Sequence, residues 1–351
     1  MYKTMRRCVK QSGGNNYFIP LIIILIVLLI LSVPSSVFLG SADIAFADTI
    51  KTILNKLIPN CNYEVPLSVE RIVWDLRLPR VILGIAVGGG LSICGVAMQA
   101  LTRNILAEPY ILGVSSGASV MAVAVLMFGS TSFLAGLGVS GAAFIGALLS
   151  LTVVYALSSK RGNATSERLL LSGVAISMVL NSVTQFLVQV APDVNSVKNA
   201  LFWMSGSLAG ARWENILMPI IISVSGIVFF MFIAKDLNLL SLGDESAVTL
   251  GLNVKSIRKC LLVVVSLITG ALVAASGGIG FVGLVIPHIV RLLVGSDHKK
   301  VLPLSFLLGS IFLVWADMIA RVVFAPKELS IGIITAFCGG PYFIWLLRRK
   351  K

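Results

Sequence analysis

Ten apolar runs, each nearly free of charge, follow one another along this chain and limit what it can fold into more than any other feature. They lie at about 17–39, 81–101, 111–128, 133–157, 169–190, 216–234, 260–275, 281–294, 301–320 and 331–347. About 20 apolar residues make one helical crossing of a bilayer, and in lipid a helix satisfies its own backbone hydrogen bonds. Only 12% of the 351 residues are charged and 57% are hydrophobic, against roughly 25% charged in an ordinary soluble domain. A water-soluble globule is excluded, and little is left for a soluble catalytic domain. The expected fold is an all-α polytopic membrane protein, with 1–351 forming a single transmembrane domain of about ten helices.

The first run follows Lys3, Arg6, Arg7 and Lys10, and Ala45-Phe46-Ala47 imitates a signal-peptide cleavage site. At about 23 residues the run exceeds the usual 7–15 of a signal core, so it reads as a retained first helix. Ten crossings put both termini on one side. Sorting the gaps by side places nineteen of the 28 lysines and arginines with the termini and nine opposite. Basic loops stay in the cytoplasm, which makes 1–16 a cytoplasmic N-terminus, 40–80 an outer loop and 235–259 a cytoplasmic region. The formal charge of +13 is therefore a topology signal in a cytoplasmic-membrane protein with the lipid bilayer as its partner, and no nucleic acid is implied. Within the outer loop, Ile44–Ile58 is amphipathic and predicts a surface helix. Ser196–Gly210, with Leu201-Phe202-Trp203-Met204, is too short to span and predicts an interfacial segment. The eighth run, about 14 residues after the glycine-rich Ser276–Gly283, is the weakest crossing.

Charges inside spans are expensive and usually functional; here only Asp317 and, near an inner end, Arg291 lie within the runs. Asp317 and Arg321 are four residues apart and can pair on one helix face. So few buried acids weigh against an ion-gradient-driven secondary transporter, which is the alternative reading. The polar residues Gln99, Asn181, Gln185 and Gln189 can bond between helices, and Asn181 and Gln185 are candidates to line a pathway. The glycines inside the spans predict close helix packing. A phosphate-cradling loop needs G-x-x-x-x-G-K-[ST], and the nearest string, Gly251 to Ser256, lacks its second glycine. ATP, if used, is hydrolysed elsewhere. His288 and His298 are single residues without paired ligands, and Cys8, Cys61, Cys94, Cys260 and Cys338 have neither metal-site nor disulfide spacing, so no metal is expected.

Three strings occur together: Arg77-Leu78-Pro79-Arg80; Gln99-Ala100-Leu101-Thr102-Arg103-Asn104 with Ala107-Glu108-Pro109 and Leu112-Gly113-Val114-Ser115; and Gly280-Phe281-Val282-Gly283-Leu284-Val285-Ile286-Pro287-His288. Gly295-Ser296-Asp297-His298, Ala316-Asp317-Met318-Ile319-Ala320-Arg321, Glu328-Leu329-Ser330-Ile331-Gly332 and Gly340-Pro341-Tyr342-Phe343 follow in order. From about residue 70 to its end the chain resembles the FecCD-type permeases of iron-siderophore, haem and cobalamin ABC importers. The resemblance implies the type II ABC importer permease fold, a second permease copy or homologue, and two ABC ATPase subunits that use ATP and Mg. It also implies an extracytoplasmic substrate-binding protein, no cofactor bound by this chain, and no enzymatic chemistry of its own. By the same resemblance Arg77, Arg80 and Arg321 face outward to dock the binding protein, and Leu242, Gly243, Ala247, Leu250 and Gly251 form the element that couples to the ATPases. Asn104, Leu106, Thr165 and Ser166 match the inner gate, where Ile105 replaces the family's usual proline.

Overall fold

The computed structural model describes residues 17–40, 44–58, 61, 63–129, 138–160, 163–164 and 166–349. The chain is helical almost throughout. In order the helices are α1 (Phe18–Phe38), α2 (Phe46–Leu57), α3 (Leu67–Thr102), α4 (Val114–Phe128), α5 (Gly138–Ser158), α6 (Ser166–Gln189) and α7 (Val194–Met204). They are followed by α8 (Trp213–Phe232), α9 (Ala234–Ser241), α10 (Asp244–Thr249), α11 (Val254–Ser276), α12 (Val282–Val294), α13 (His298–Val322) and α14 (Ile331–Arg349). One minimal antiparallel pair, β1 (Ser159–Lys160) and β2 (Asn163–Ala164), joins α5 to α6.

Among the described residues seven helices, α1, α3, α5, α6, α8, α11 and α13, are long and apolar enough to cross a membrane, and α4, α12 and α14 are shorter apolar helices. Each apolar run of the sequence falls on one of these ten. The two interfacial segments also form helices: α2 covers the amphipathic stretch and α7 the Trp203 segment. Asp193 caps α7, accepting from the amides of Asn195 and Ser196, both at 2.8 Å, and from the Ser196 hydroxyl at 2.6 Å. Those bonds hold its carboxyl below the ordinary carboxylate range. Lys56 of α2 reaches Glu70 of α3 at 2.6 Å and pins the surface helix to the bundle.

The main departure from the sequence reading is the length of α3. It starts at Leu67, inside the segment expected as outer loop, and takes a π-helical turn over Arg71–Arg77. At 1.5 Å per residue its 36 residues extend about 54 Å, well beyond a hydrocarbon core of about 30 Å. The protruding turns carry Glu70, Arg71, Asp75, Arg77 and Arg80, and that charge hides the helix from hydropathy. The apolar part of α3 is the axis of the bundle: α8, α11, α12 and α13 all pack on it. It can be surrounded because its glycines admit other backbones. A Cβ at Gly88 would collide with the carbonyl of Gly309, and one at Gly95 with that of Gly283. The fourth helix also differs, beginning at Val114 and not at 111, because Pro109–Leu112 is a 3-10 turn closed by Gly113 at φ 74°.

Side-chain contacts define two ends of the bundle. At one end the C-termini of α1 and α13 meet the outer turns of α3 and the approach to α14, through Ser36, Arg321, Asp317, Arg80 and Glu328. At the other, the C-terminus of α3 meets α10 and the start of α11 through Arg103, Asp244 and Arg258, and α9 meets the start of α13 through Asn238 and Asp297.

Candidate functional site

The first end holds a closed charge cluster. Arg80 Nε lies 2.8 Å from Asp317 Oδ1 and its Nη1 lies 2.8 Å from Glu328 Oε2. Arg321 Nε lies 3.0 Å from Asp317 Oδ2, the pairing expected from their spacing, and its Nη2 donates to the Ser36 carbonyl and hydroxyl at 2.9 and 2.8 Å. Arg77 donates to the carbonyls of Val37 and Phe38, at 2.9 and 2.8 Å, where α1 ends. These three arginines are 5%, 7% and 3% exposed for Arg77, Arg80 and Arg321 respectively. In this chain each guanidinium turns inward, because α1, α3 and α13 converge here and leave acceptors that long cationic side chains reach. Glu328 was quoted only as part of a string, and its contact with Arg80 spans 248 positions, beyond any local pattern.

The second end is built the opposite way. The chain leaves α9 at Leu242, turns at Gly243 with φ 108° and ψ 155°, makes the short α10, and turns again at Gly251 with φ 88°. A side chain at Gly243 would be strained in that backbone conformation. Ala247 is fully buried and its carbonyl accepts from the Leu252 amide at 2.9 Å, so a larger side chain has no room. Asp244, at the start of α10, receives Arg258 Nη2 on both oxygens at 3.1 and 3.0 Å and has Arg103 Nη2 at 3.7 Å. This fork fixes the base of the turn, and Leu242, Val248 and Leu250 stand 63%, 60% and 60% exposed above it. Val248 was not foreseen; its position one residue after Ala247 on a helix could have indicated an outward side chain. Beside the turn, Asn104 Oδ1 accepts from the Leu106 amide at 3.0 Å and closes the loop after α3 locally. Thr165 lies outside the described residues, and Ser166 opens α6. Asp297 caps α13 and accepts from Asn238 Nδ2 at 2.9 Å and the Lys299 amide at 3.1 Å. Burial pushes its carboxyl upward, but those bonds and the charges of Lys300 and Lys299 hold it below the usual range.

Between the ends, the chain after α11 runs as non-helical backbone from Gly277 to Phe281. Such backbone survives at membrane depth only where its polar groups find partners. The Tyr110 hydroxyl donates to the Ile279 carbonyl at 2.9 Å and accepts from the Ile279 amide at 3.1 Å, and Glu108 accepts from the Phe281 amide at 3.3 Å. Deeper in the same bundle Gln99 donates to the Leu284 carbonyl at 3.2 Å and accepts from Arg291, which partners the one charge near an inner span end. Asn181 and Gln185 are different: both are exposed on α6, on a face they share with exposed Met178 and Phe186. Among the described residues no group of three or more His, Cys, Asp or Glu converges to hold a metal.

A bundle of apolar helices with most of its charge at the two ends, irregular backbone stitched into its middle and a greasy turn projecting from one end is the form of a multi-pass membrane protein. The FecCD transport family model matches residues 24–349, and the chain belongs to that family. Similar proteins include the cobalamin import system permease protein BtuC of Halobacterium salinarum, 44% identical over 82% of this chain and 76% of that one. The Fe(3+)-citrate import system permease protein YfmD of Bacillus subtilis is 37% identical over 95% of both chains. The hemin transport system permease protein HmuU of Yersinia pestis is 37% identical over 89% of this chain and 92% of its own. A solved structure described as an inward-facing metal-chelate type ABC transporter superposes with a TM-score of 0.80 at 27% identity, covering 93% of this chain and 98% of that chain.

Proposed function

We propose that this chain is the membrane-spanning subunit of an ATP-driven importer that carries an iron-siderophore, or a related chelate such as haem or cobalamin, across the cytoplasmic membrane by alternating access. In this reading all ten apolar helices cross, both termini are cytoplasmic, and a second permease copy or homologue covers the α6 face that bears Asn181 and Gln185. Two ABC ATPase subunits, which use ATP and Mg, seat on the turn from Leu242 to Gly251, and a binding protein docks on the arginine end. The carrying observation is that turn: three apolar side chains exposed on a base held by Arg258, Arg103 and Asp244. A rigid knob of this kind transmits a rigid-body movement from one subunit to another.

Docking at the arginine end has a specific form here. Glu328 is the half-buried partner of Arg80, so a carboxylate of the binding protein can replace it and take the guanidinium in a charge-assisted bond. Asn104, Leu106, Thr165 and Ser166 serve as the gate on the ATPase side. Reconstitution tests the proposal: vesicles holding the permease with its ATPases should accumulate chelate only with ATP inside the ATPase compartment and binding protein on the opposite face. Accumulation driven by an ion gradient without ATP would establish the secondary-transporter alternative instead.

A further inference from the structure

A cleft of about 610 Å³ lies at the arginine end of the bundle, between α5 and α8, and none of the contacts described above uses it. The two helices both pack on α11 but hardly touch each other. The floor between them is made of Ala271, Ala274 and Ala275, residues too small to fill the gap. Phe144 and Met218 form the walls, and α7 closes the top with Phe202 and Trp203. The volume falls within the roughly 300–1,000 Å³ of ordinary ligand sites.

Chemistry and position select the occupant. Outside the cleft both helices present apolar side chains to the surroundings, Leu149 and Leu157 on α5, Leu217 and Ile221 on α8. In a bilayer a gap between two helices with such exteriors faces acyl chains along its sides, while Asn199, Glu214 and Asn215 give it a polar rim. Its polar edge is the first turn of α8, where Glu214 lines the cleft, is exposed, and makes no ion pair among the described residues. Trp213 beside it stacks on Trp74 at 5.2 Å and donates Nε1–H to the Trp74 carbonyl at 2.9 Å, a tryptophan pair of the sort found at headgroup depth. Asn199 adds a side-chain amide at the same rim. An apolar slot with one carboxylate at headgroup depth matches an amphiphile that has a long hydrocarbon tail and a compact cationic donor.

We propose that this cleft binds one phospholipid with a primary-amine headgroup, from the leaflet on the side of the arginine cluster. One acyl chain lies along Ala271, Ala274 and Ala275, and the ammonium donates to Glu214. A primary ammonium has three N–H donors for a carboxylate and a trimethylated one has none, so the site separates ethanolamine from choline headgroups. The inference rests on the chain being a multi-pass membrane protein and is independent of what it transports.

Native mass spectrometry of the full-length permease, released from bicelles containing equal amounts of phosphatidylethanolamine and phosphatidylcholine with identical chains, tests it. Wild type should retain one ethanolamine lipid in about tenfold preference over choline lipid, a difference of about 1.4 kcal/mol. Glu214→Gln, at an exposed position, should bring the two lipids to parity, and Ala274→Phe, which fills the floor, should remove retention of both. If Ala274→Phe does not fold, quenching of Trp203 by lipids brominated on the chain gives the same reading in wild type. It should be stronger for the ethanolamine lipid, and the excess should vanish in Trp203→Phe. Equal retention of the two lipids by wild type overturns the proposal, as does a headgroup preference unchanged in Glu214→Gln.

Discussion

The two ends of the bundle hold comparable numbers of charged side chains and use them in opposite ways. At the arginine end, Arg80, Arg321, Asp317 and Glu328 close on one another, and three helices are tied by groups of which only Glu328 keeps appreciable contact with water. At the Asp244 end, the ions are partly exposed and sit beneath apolar side chains that project outward. Buried charge that is paired fixes geometry, and of this cluster only Glu328 stands within reach of a partner. Exposed apolar surface on a braced turn offers area and little stability. The first end is therefore built as a clamp on the protein's own helices, and the second as an exposed apolar surface on a braced turn.

The largest effect should come from breaking the clamp. Asp317→Ala leaves two arginines facing each other without their shared carboxylate, and removing one partner of a buried pair destabilises by roughly 3–5 kcal/mol. Thermal unfolding in detergent should show a marked fall in Tm, while Lys56→Ala, which removes only a surface pair, should leave Tm nearly unchanged. Equal shifts in the two variants would erase the contrast between closed and exposed charge. Next in size is Ala247→Leu, where overpacking a filled site costs about 1–3 kcal/mol. Nucleotide hydrolysis by the assembled complex should also lose its response to binding protein. Capping comes after that: Asp193→Ala removes the acceptor at the start of α7 and should lower Tm by a small, measurable amount at neutral pH. Because the native carboxyl titrates below its ordinary range, the capping contribution is present above pH of about 4 and fades as the solution is acidified further. Wild type and variant should converge in acid. The smallest stability change belongs to Leu250→Ser on the exposed turn, within about 0.5 kcal/mol, yet co-purification of the ATPases should drop severalfold. A stable variant that still assembles fully would remove the turn from the interface.

Much of this architecture is legible because lipid imposes a simple rule on sequence. Each apolar run became a helix, and the amphipathic period of 44–58 became α2. What hydropathy could not show was the first third of α3, where Glu70, Arg71, Asp75, Arg77 and Arg80 sit on a helix that begins before its apolar run does. Direction of charge was equally hidden. The Asp317–Arg321 pair could be read from i,i+4 spacing, but whether Arg80 points outward depends on Glu328, brought near by the fold alone. At the other end, Gly243 and Ala247 were legible from the family pattern, whereas Asp244 and its two arginines were not, since ion pairing across 14 positions between Arg258 and Asp244 leaves no periodic trace. Glu108 stands in one of the matched strings and Tyr110 just beyond it, and their role appears only when the Gly277–Phe281 backbone is seen beside them.

The stitch formed by Tyr110 carries a consequence of its own. One neutral phenol answers both peptide groups of Ile279, performing the office of an absent neighbouring strand. Ionic strength, which screens the partly exposed ions of the Asp244 end, has no purchase on such a fastening. A movement that slides the Ile279 segment must break two hydrogen bonds at once, so the waist of this protein should yield in discrete steps while the Asp244 end responds gradually to salt.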